Sequence, residues 1–408
     1  MTQTTMIPPE KLFAQVLDPT SRANPYPLYA RLREKPISVQ EDGTYVVSTY
    51  REISLLLHDP RISSDERKGT HPARTQTETA ASATPAFIFT DPPEHTRLRR
   101  LLMHQFTPQR IADMQEYIEQ TVNALLDARK QEKQLDVVQD FAYPLPVMVI
   151  CRLLGVPPED EPRFRGWSSA LVRTLDPTES LSEAEIQQAM QSRTQLLEYM
   201  KQLSEARRAR PQNDLFSALV AGDDPDGRLS DPDRLATMQL LLIAGHETTV
   251  NLITNSMLTL LRHPDVFDRL RRNPDLMIPA VEEVLRYEPP VQFRTRTTLT
   301  DIPIAGVTIP KGARVVLLLA SGSRDPARFV DPDRFWPERD DNEHLGFGGG
   351  DHYCVGAPLA RREVVPALKA LTRRLQAPRL VTDPPPYRRN AALRGPEHLQ
   401  IAFDHISD

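Results

Sequence analysis

The chain has 408 residues, 39% of them hydrophobic and 26% charged, which is enough apolar material to bury a sizeable core. Its formal net charge of −5 argues against nucleic-acid binding as the main function. No apolar run reaches the ~18–20 residues that a membrane span needs, residues 1–11 lack a secretion signal, and two cysteines are too few for a disulfide framework, so we expect a protein of the reducing cytoplasm.

Helical periodicity dominates the chain, and the runs with strand-like composition are short. The patterns predict helices over residues 110–130, 183–208, 230–262 and 279–287. They predict strands over 45–49, 297–302, 315–319 and 399–403, a hairpin over 301–310 and a polar loop over 69–85. We therefore expect a mainly α fold with a small β region.

The first segment with candidate chemistry begins at Asp91 and carries His95 and Arg99 one turn apart on a predicted helix. Basic side chains at this spacing share one helix face, so the two can bind the same anionic group through charge-assisted hydrogen bonds. The alternative for any one basic residue is a solvated surface charge, and we favour that alternative for Arg97 and Arg100.

A helix of about thirty residues, or ~48 Å at ~1.5 Å per residue, is predicted to open at Ser230 and to end near Arg262. Ser230 and the three residues after it resemble a capping box, a sequence pattern that is typical of the start of a helix. The apolar run 240–243 makes this helix hydrophobic on all sides, so we expect it to be buried.

Glu247 and Thr248 lie in the middle of this helix, within the run AGHETT that begins at Ala244. The Thr248 hydroxyl can bond back to the carbonyl of Ala244 and open a local kink. A carboxylate in this apolar segment is costly unless it has a partner or a water chain. The pair could also be a solvated Glu-Thr on an ordinary amphipathic helix.

Further along, Glu283 and Arg286 are spaced to pair on one helix face. The motif is weak by itself, because two other pairs of this chain fit it as well, Glu94 with Arg97 and Glu205 with Arg208. Glu283 and Arg286 lie between the long helix and the glycine-rich loop described next, and this position favours them over the other two pairs.

The glycine-rich run 347–356 holds Cys354 just before a helix that is predicted to start at Ala357. One cysteine cannot build a tetrahedral zinc or iron–sulfur site, each of which needs about four protein ligands, but it can be the axial thiolate of a haem. Gly356 would let the backbone approach the sulfur closely. The alternative is a glycine-rich turn that holds a free cysteine. Pro366 should bend the following helix.

The spacing F-x-x-G-x-H-x-C-x-G, from Phe347 to Gly356, matches the haem-binding loop of the cytochrome P450 family at every fixed position. The chain resembles soluble bacterial members of that family over about residues 20–403. The resemblance implies the mostly helical triangular-prism fold, one domain over residues 1–408, and haem b (iron protoporphyrin IX) with Cys354 as the axial ligand of its iron.

The resemblance also assigns roles to other residues around the haem. Glu247 and Thr248 would deliver protons while dioxygen is activated. Glu283, Arg286 and Arg339 would form a structural ion network. The residues that would touch the haem beside Cys354 are Phe347, Gly348, Gly356, Ala244 and Gly245, and its propionates would be bound by His95, Arg99, Arg296 and His352.

The implied activity is a monooxygenase that uses O2 to hydroxylate or epoxidise a hydrophobic small molecule. Fatty-acyl, macrolide or polyketide, and terpenoid or steroid substrates all stay open. A peroxide-driven peroxygenase and a non-catalytic haem sensor are the alternatives, and the Glu247-Thr248 pair argues against both. Candidate pocket residues, each of which could equally be core, are Phe87, Ile88, Leu171, Val172, Leu241, Ala244, Val291, Gln292, Phe293 and Leu393.

Electrons are expected from a separate ferredoxin or flavodoxin with its reductase, because no flavin or iron–sulfur module follows the last predicted strand before Asp408. An acidic carrier would dock on a basic surface by complementary charge. A solvated basic face is the alternative. The arginines expected to form this surface are Arg97, Arg100, Arg361, Arg362, Arg373 and Arg374.

Overall fold

The structure is a computed structural model that describes residues 8–70, 84–222 and 229–408, so most of the predicted polar loop lies outside the described residues. Within these ranges the α-helices are α1 Leu12–Leu17, α2 Tyr26–Arg33, α3 Tyr50–Leu57, α4 Glu94–Gln105, α5 Pro108–Ala112, α6 Gln115–Asp127, α7 Pro144–Leu154, α8 Glu161–Arg173, α9 Glu183–Ala209, α10 Leu215–Ala221, α11 Asp231–Arg262, α12 Pro264–Arg272, α13 Met277–Tyr287, α14 Leu319–Gly322 and α15 Ala357–Arg374. The strands are β1 Ile37–Val39, β2 Tyr45–Val47, β3 Ile62–Ser63, β4 Gln134–Asp136, β5 Arg294–Thr298, β6 Ile302–Ile304, β7 Val307–Ile309, β8 Arg314–Leu317, β9 Leu375–Gln376, β10 Arg379–Leu380, β11 Gln400–Ala402 and β12 His405–Ile406.

Helix α11 forms the centre of the structure. It has 32 residues and begins where the sequence predicts, with Ser230 Oγ accepting a hydrogen bond from the Asp233 N–H. Nearly every residue from 246 to 260 is buried, because α7, α8, α9, α13 and α15 surround the helix. The burial expected on all sides is wrong for one stretch, since Ala244 is exposed and Thr248 is partly exposed. The helix therefore has one accessible face midway along its length.

Five strands form the main sheet, in the order β1-β2-β8-β5-β3. Strands β2 and β8 run parallel, and the other neighbours run antiparallel. Strand β5 pairs Arg294 with Leu317 and Arg296 with Val315, so both arginine side chains lie on the same face of the sheet. The hairpin β6–β7 occupies the segment in which a hairpin is predicted.

Some predicted boundaries differ from the structure. The helix expected over 110–130 is divided, because Thr107 caps the short helix α5, which ends at Ala112, and α6 begins at Gln115. The strand expected over 297–302 begins and ends earlier in the structure, as β5. It ends at Thr298, where the chain turns into the β6–β7 hairpin. Helix α15 continues through Pro366 without a break, and its packing against α6, α11 and α13 holds the turns on both sides of the proline.

Residues 137–154 are the one described stretch that is long and apolar enough, by length and composition, to cross a membrane. By this measure, the expectation that no apolar run reaches the length of a membrane span is wrong for this stretch. Of the 18 residues, 72% are buried inside the protein. The stretch consists of a π-helical segment, Val137–Ala142, followed by α7, which packs on α11. Its hydrophobicity is thus that of a helix in the protein core.

Candidate active site

Cys354 lies at the end of a tight loop that leads into α15. Its backbone N–H donates to the carbonyl of Phe347 over 3.0 Å. Gly348 and Gly350 have φ angles of +73° and +61°, a region that favours glycine. The predicted helix start at Ala357 is confirmed. The loop therefore holds the thiol at the N-terminal end of a helix.

The Cys354 thiol is accessible, yet enough protein surrounds it that burial raises its pKa. Hydrogen bonds from the N–H groups of Gly356 and Ala357 and the charge of Arg294 act in the opposite direction. Since a bound metal ion deprotonates a coordinating thiol, these donors fit a thiolate ligand. A Cβ on Gly356 would lie 3.8 Å from the sulfur, an ordinary contact, so close approach does not demand glycine there. The other cysteine, Cys151, lies in the core, where burial raises its pKa to about 12.

Two histidine rings stack beside this loop. The ring centroids of His95 and His352 are 4.1 Å apart. Neither ring nitrogen of His95, nor Nδ1 of His352, has a hydrogen-bond partner among the described residues, whereas Nε2 of His352 lies 3.0 Å from Ser64 Oγ. Burial lowers the pKa of both imidazoles, that of His352 to about 3. The pair thus brings three buried, unpartnered ring nitrogens to one place.

Arginines surround the two rings. Arg99 donates to the carbonyl of Tyr353 over 2.7 Å. Burial, followed by the charge of Arg294, lowers the pKa of Arg296 to about 10. Unpartnered imidazoles and partly buried guanidinium groups in one cluster fit a ligand that carries two negative charges, such as the propionates of haem b.

The accessible face of α11 carries the expected threonine. Thr248 Oγ1 donates to the carbonyl of Ala244 over 2.9 Å, as the sequence predicts. Gly245, expected beside the haem, is a close-packing position, because a Cβ there would meet Ile150 of α7. The exposed Ala244 and the partly exposed Thr248 thus leave the backbone and hydroxyl groups of this turn reachable from one side of the helix.

Glu247 is 3% exposed and has partners at both carboxylate oxygens. Arg388 donates to Oε2 over 2.7 Å, and Ser168 Oγ lies 3.0 Å from Oε1. Burial opposes ionisation, but the adjacent His246 and Arg388 outweigh it and hold the pKa of Glu247 at about 2. The carboxylate is therefore ionised and held in place, which excludes the alternative of a solvated Glu-Thr pair.

Of the predicted pocket residues, Ile88, Ala244 and Val291 are at least partly exposed. Val291 forms an isolated antiparallel bridge with Leu393, so these two segments meet as a pocket would require. The other apolar members are buried among their neighbours: Phe87, Leu171, Val172, Leu241 and Leu393.

Gln292 and Phe293 face away from these residues, toward the N-terminal segment. The Gln292 amide oxygen accepts a hydrogen bond from the Tyr29 hydroxyl over 2.8 Å. The Phe293 ring meets Phe13 edge-on, with centroids 5.4 Å apart. Both side chains are fully buried, so these two residues are core and not pocket lining.

A family model for cytochrome P450 matches residues 36–403. The chain belongs to the cytochrome P450 family. The cytochrome P450 monooxygenase PikC of Streptomyces venezuelae is 40% identical over 93% of this chain and 91% of its own length. Among solved structures, ligand-free CYP164A2 of Mycobacterium smegmatis has a TM-score of 0.90 at 42% identity, covering 96% of this chain and 100% of that one. P450BioI in complex with acyl carrier protein ligated to hexadec-9Z-enoic acid has a TM-score of 0.89 at 37% identity, covering 95% and 99%.

Membership in the cytochrome P450 family establishes the reaction and confirms the predicted fold. The chain is a haem-thiolate monooxygenase that binds haem b through a cysteine. It inserts one oxygen atom of O2 into a hydrophobic substrate, with electrons supplied by redox partner proteins.

The ion pair expected between Glu283 and Arg286 is present in this P450 fold. Arg286 Nε and Nη2 each lie 2.8 Å from a carboxylate oxygen of Glu283, and both side chains are fully buried. Arg339 Nε approaches Glu283 to 3.5 Å. The Trp336 N–H also donates to Glu283, over 2.9 Å. The network joins α13 to the segment that precedes the cysteine loop, which agrees with a structural role.

Four of the six arginines expected on a docking surface have side-chain partners, among them Arg362, whose Nη1 donates to Gln115 Oε1 over 3.1 Å. Arg361 makes a two-point ion pair with Glu282 of α13, at 2.6 and 2.8 Å. Arg374 is 3% exposed and pairs with Asp127 of α6. Both therefore hold helices together. Arg97 pairs with Glu94 and Asp233, whereas Arg100 and Arg373 are exposed.

Four residues of this site are not among those predicted from the sequence. One is Arg294, which precedes Arg296 by two residues in a strand, and this spacing puts both on one face and could have indicated it. Ser168, His246 and Arg388 surround Glu247. For Ser168 and Arg388 no local signal exists, since they lie 79 and 141 residues from Glu247 in the sequence.

Proposed function

We propose that Cys354 supplies the axial thiolate to the haem iron and that His95, His352, Arg99 and Arg296 bind the propionates. The observation that carries this proposal is the stacked pair of imidazoles with unpartnered nitrogens beside the cysteine loop. The bound haem would supply the chemistry of O2 activation and substrate oxidation. The protein would supply the thiolate, the anchoring charges and the path for protons.

In this proposal Glu247 and Thr248 move protons to the accessible face of α11. The Thr248 hydroxyl donates to the Ala244 carbonyl and keeps its lone pairs free to accept a hydrogen bond from a donor on that face. Glu247 acts as the general acid behind it. Because Arg388 and Ser168 bind both carboxylate oxygens, the carboxylate must release one of these partners before it can supply a proton to Thr248.

The ligand assignment is tested by the visible difference spectrum of the reduced protein with carbon monoxide. We expect the strongly red-shifted Soret band of a thiolate ligand, its loss in Cys354→Ala and its retention in Cys151→Ala. A histidine-type band in the unmodified protein, or an unchanged band in Cys354→Ala, would exclude Cys354 as the ligand. A His95→Leu and His352→Leu pair should lower haem retention without moving the band.

The proposed substrate is a long apolar chain of the fatty-acyl or polyketide type. The accessible residues at the predicted pocket, Ile88, Ala244 and Val291, are all apolar, and the P450BioI complex contains an acyl chain on a carrier protein. Titration with C14 and C16 fatty acids should shift the haem spin state, with testosterone and a macrolide as comparison ligands. Ala244→Leu should weaken fatty-acid binding about tenfold, because an isobutyl side chain in place of methyl overfills the face at a cost of ~1–3 kcal/mol. A response to the steroid alone would overturn this substrate class.

The proposed redox partner is an acidic ferredoxin or flavodoxin, supplied with electrons by its reductase in the cytoplasm. A surface pocket of about 390 Å³ adjoins the cysteine loop and is lined by His95, Thr96, Arg99, Arg100, Met103, Gly350 and Asp351. The exposed Met103 and Arg100 give this region the apolar and basic character that suits an acidic partner.

The protein would act as one domain, since Phe13 packs on Phe293 across most of the sequence.

Arg100→Glu tests this docking surface, and Arg210→Glu is the matched control, because Arg210 is also exposed and follows the last residue of α9, far from Arg100 in the sequence. Reversing the charge at Arg100 should slow the first electron transfer about tenfold at low ionic strength. Added salt should bring the rate of this variant closer to that of the unmodified protein. Equal rates for the two variants at low salt would place the docking surface elsewhere.

A further inference from the structure

His246 is fully buried on α11, next to Glu247. Its Nδ1 lies 2.6 Å from the carbonyl oxygen of Leu242, and because a carbonyl only accepts hydrogen bonds, Nδ1 carries a proton. Its Nε2 lies 3.0 Å from Ser168 Oγ, and the same Oγ lies 3.0 Å from Glu247 Oε1. One serine hydroxyl of α8 thus bridges an imidazole and a carboxylate.

The number of protons in this bridge follows from the two contacts. The hydroxyl of Ser168 has one proton to donate. With a neutral imidazole and an ionised carboxylate, that proton could serve only one contact, and the other would bring two lone pairs together in a buried site. Both contacts are hydrogen bonds only when one more proton is present, either on His246 Nε2 or on Glu247 Oε1.

The surrounding charges favour the arrangement with the proton on the imidazole. Arg388 donates to the other oxygen of Glu247 over 2.7 Å and so favours the carboxylate. Tyr143 meets the imidazole edge-on, with centroids 6.0 Å apart. The charged groups behind Tyr143 have opposite signs and offset each other, namely Arg165, which lies 3.9 Å from the tyrosine ring, and Glu161.

We propose that His246 stores the proton that Glu247 delivers and that Ser168 passes it between them. In the transfer, the Nε2–H bond of His246 breaks as Ser168 Oγ takes that proton. Ser168 releases its own proton to Glu247 Oε1, which leaves a neutral imidazole, an intact hydroxyl and a carboxylic acid. No electrons change hands. The neutral acid no longer pairs strongly with Arg388 and is free to supply its proton toward Thr248.

His246 and Ser168 are both fully buried and contact each other and Glu247, so both are positioning residues that act through Glu247. The inference rests on the acid role proposed for Glu247.

Nitrogen-15 NMR of labelled histidines tests the stored proton directly, in the ferrous carbon-monoxide form, which is diamagnetic. His246 is identified as the signal that is lost in His246→Gln. At about pH 7 we expect protons on both ring nitrogens in the unmodified protein and on Nδ1 alone in Glu247→Gln. A neutral imidazole in the unmodified protein would overturn the proposal. This measurement needs no turnover, so it gives an answer even if the proposed haem ligation fails.

The amount of product formed per electron pair consumed, measured across pH, gives the second test. Gln at position 246 still donates to and accepts from Ser168 but cannot hold the extra proton, so a merely structural role would survive His246→Gln. We expect His246→Gln and Ser168→Ala to lower this yield about tenfold above neutral pH, less than the ~10²–10⁴-fold of a general acid because water can reprotonate Glu247. Ser168→Thr, which keeps the hydroxyl, should stay close to the unmodified enzyme. An unchanged pH profile in His246→Gln would overturn the proposal.

Discussion

Gly245 and Ile150 lie so close that a Cβ on the glycine would stand 2.8 Å from Ile150 Cδ1. The contact sets the distance between α11 and α7, the helix that forms most of the apolar stretch 137–154. It also explains a glycine in the middle of a long helix, where alanine would otherwise be more stable by about 0.5–1 kcal/mol.

Gly245→Ala should therefore lower the free energy of unfolding by ~1–3 kcal/mol, because the methyl group overfills a packed interface. Gly166 of α8 is the matched control, since a Cβ there meets nothing within 4 Å. Gly166→Ala should stabilise the protein by about 0.4–1 kcal/mol. Adding Ile150→Val to Gly245→Ala removes the clashing Cδ1 and should restore part of the loss. Urea unfolding of the three variants measures this, and equal effects at both glycines would contradict it.

Replacing Glu283 by Gln should destabilise the protein by ~3–5 kcal/mol, because it leaves Arg286 as a buried charge without its partner. The matched control has the same spacing on a solvated helix, Glu94 with Arg97, where both side chains are at least one-third exposed. Glu94→Gln should cost ~1 kcal/mol or less. If the urea midpoint falls by the same amount in Glu283→Gln and Glu94→Gln, the buried pair does not stabilise the protein more than the exposed pair does.

Glu282 should give α13 a pH-dependent stability. Burial raises its pKa, but hydrogen bonds from Arg361 and His344 outweigh burial and hold the pKa at about 2, below the ordinary value of 4.5. The carboxylate therefore contributes stability that is complete above about pH 4.5 and is lost as the pH falls toward 2. Glu282→Gln should lower the free energy of unfolding by ~1.5–3 kcal/mol at neutral pH, and the gap should narrow below about pH 4.5.

The exposed Glu343 serves as the control for that experiment, since it pairs with Arg328 at the surface. Glu343→Gln should change the melting temperature little at any pH. A gap between Glu282→Gln and the unmodified protein that stays constant down to about pH 3 would show that the carboxylate charge is not what stabilises the contact with Arg361.

Thr248→Val should separate oxygen consumption from product formation. Valine keeps the shape of threonine but loses the hydroxyl that donates to Ala244. We expect unchanged haem and substrate spectra, and about tenfold less product per O2 consumed, with hydrogen peroxide released in its place. Thr248→Ser, which keeps the hydroxyl, should retain most of the yield. Unchanged product yield in Thr248→Val would remove Thr248 from the proton path.

The sequence predicted those features that depend on neighbours along the chain. The Ser230 cap, the back-bond of Thr248 to Ala244 and the pairing of Glu283 with Arg286 all join residues three or four positions apart. Each follows from the helical repeat, and the cysteine loop follows from a motif of ten consecutive positions. The long helix was accordingly placed to within one residue at its start.

What the sequence could not supply are partners brought together by tertiary folding. Ser168 and Glu247 meet because α8 crosses α11, and no periodic pattern encodes that crossing. Arg361 was assigned to a docking surface because nothing near it in the sequence reveals Glu282. Gln292 and Phe293 lie just before β5, and the sequence does not show which way their side chains face, because contacts with Tyr29 and Phe13 of the N-terminal segment decide it.

The shape of the cysteine loop at Gly350 depends on a helix that lies far from it in the sequence. A Cβ at this position would collide with the carbonyl oxygen of Leu57, at the end of α3, and the Gly350 N–H donates to His58 across 292 residues of sequence. The loop therefore takes its shape by packing against α3, which is synthesised long before the loop. Contacts of such long sequence separation form slowly, because the entropy of closing a long loop opposes them. A fragment that lacks α3 would accordingly present Cys354 on a loop without its native shape.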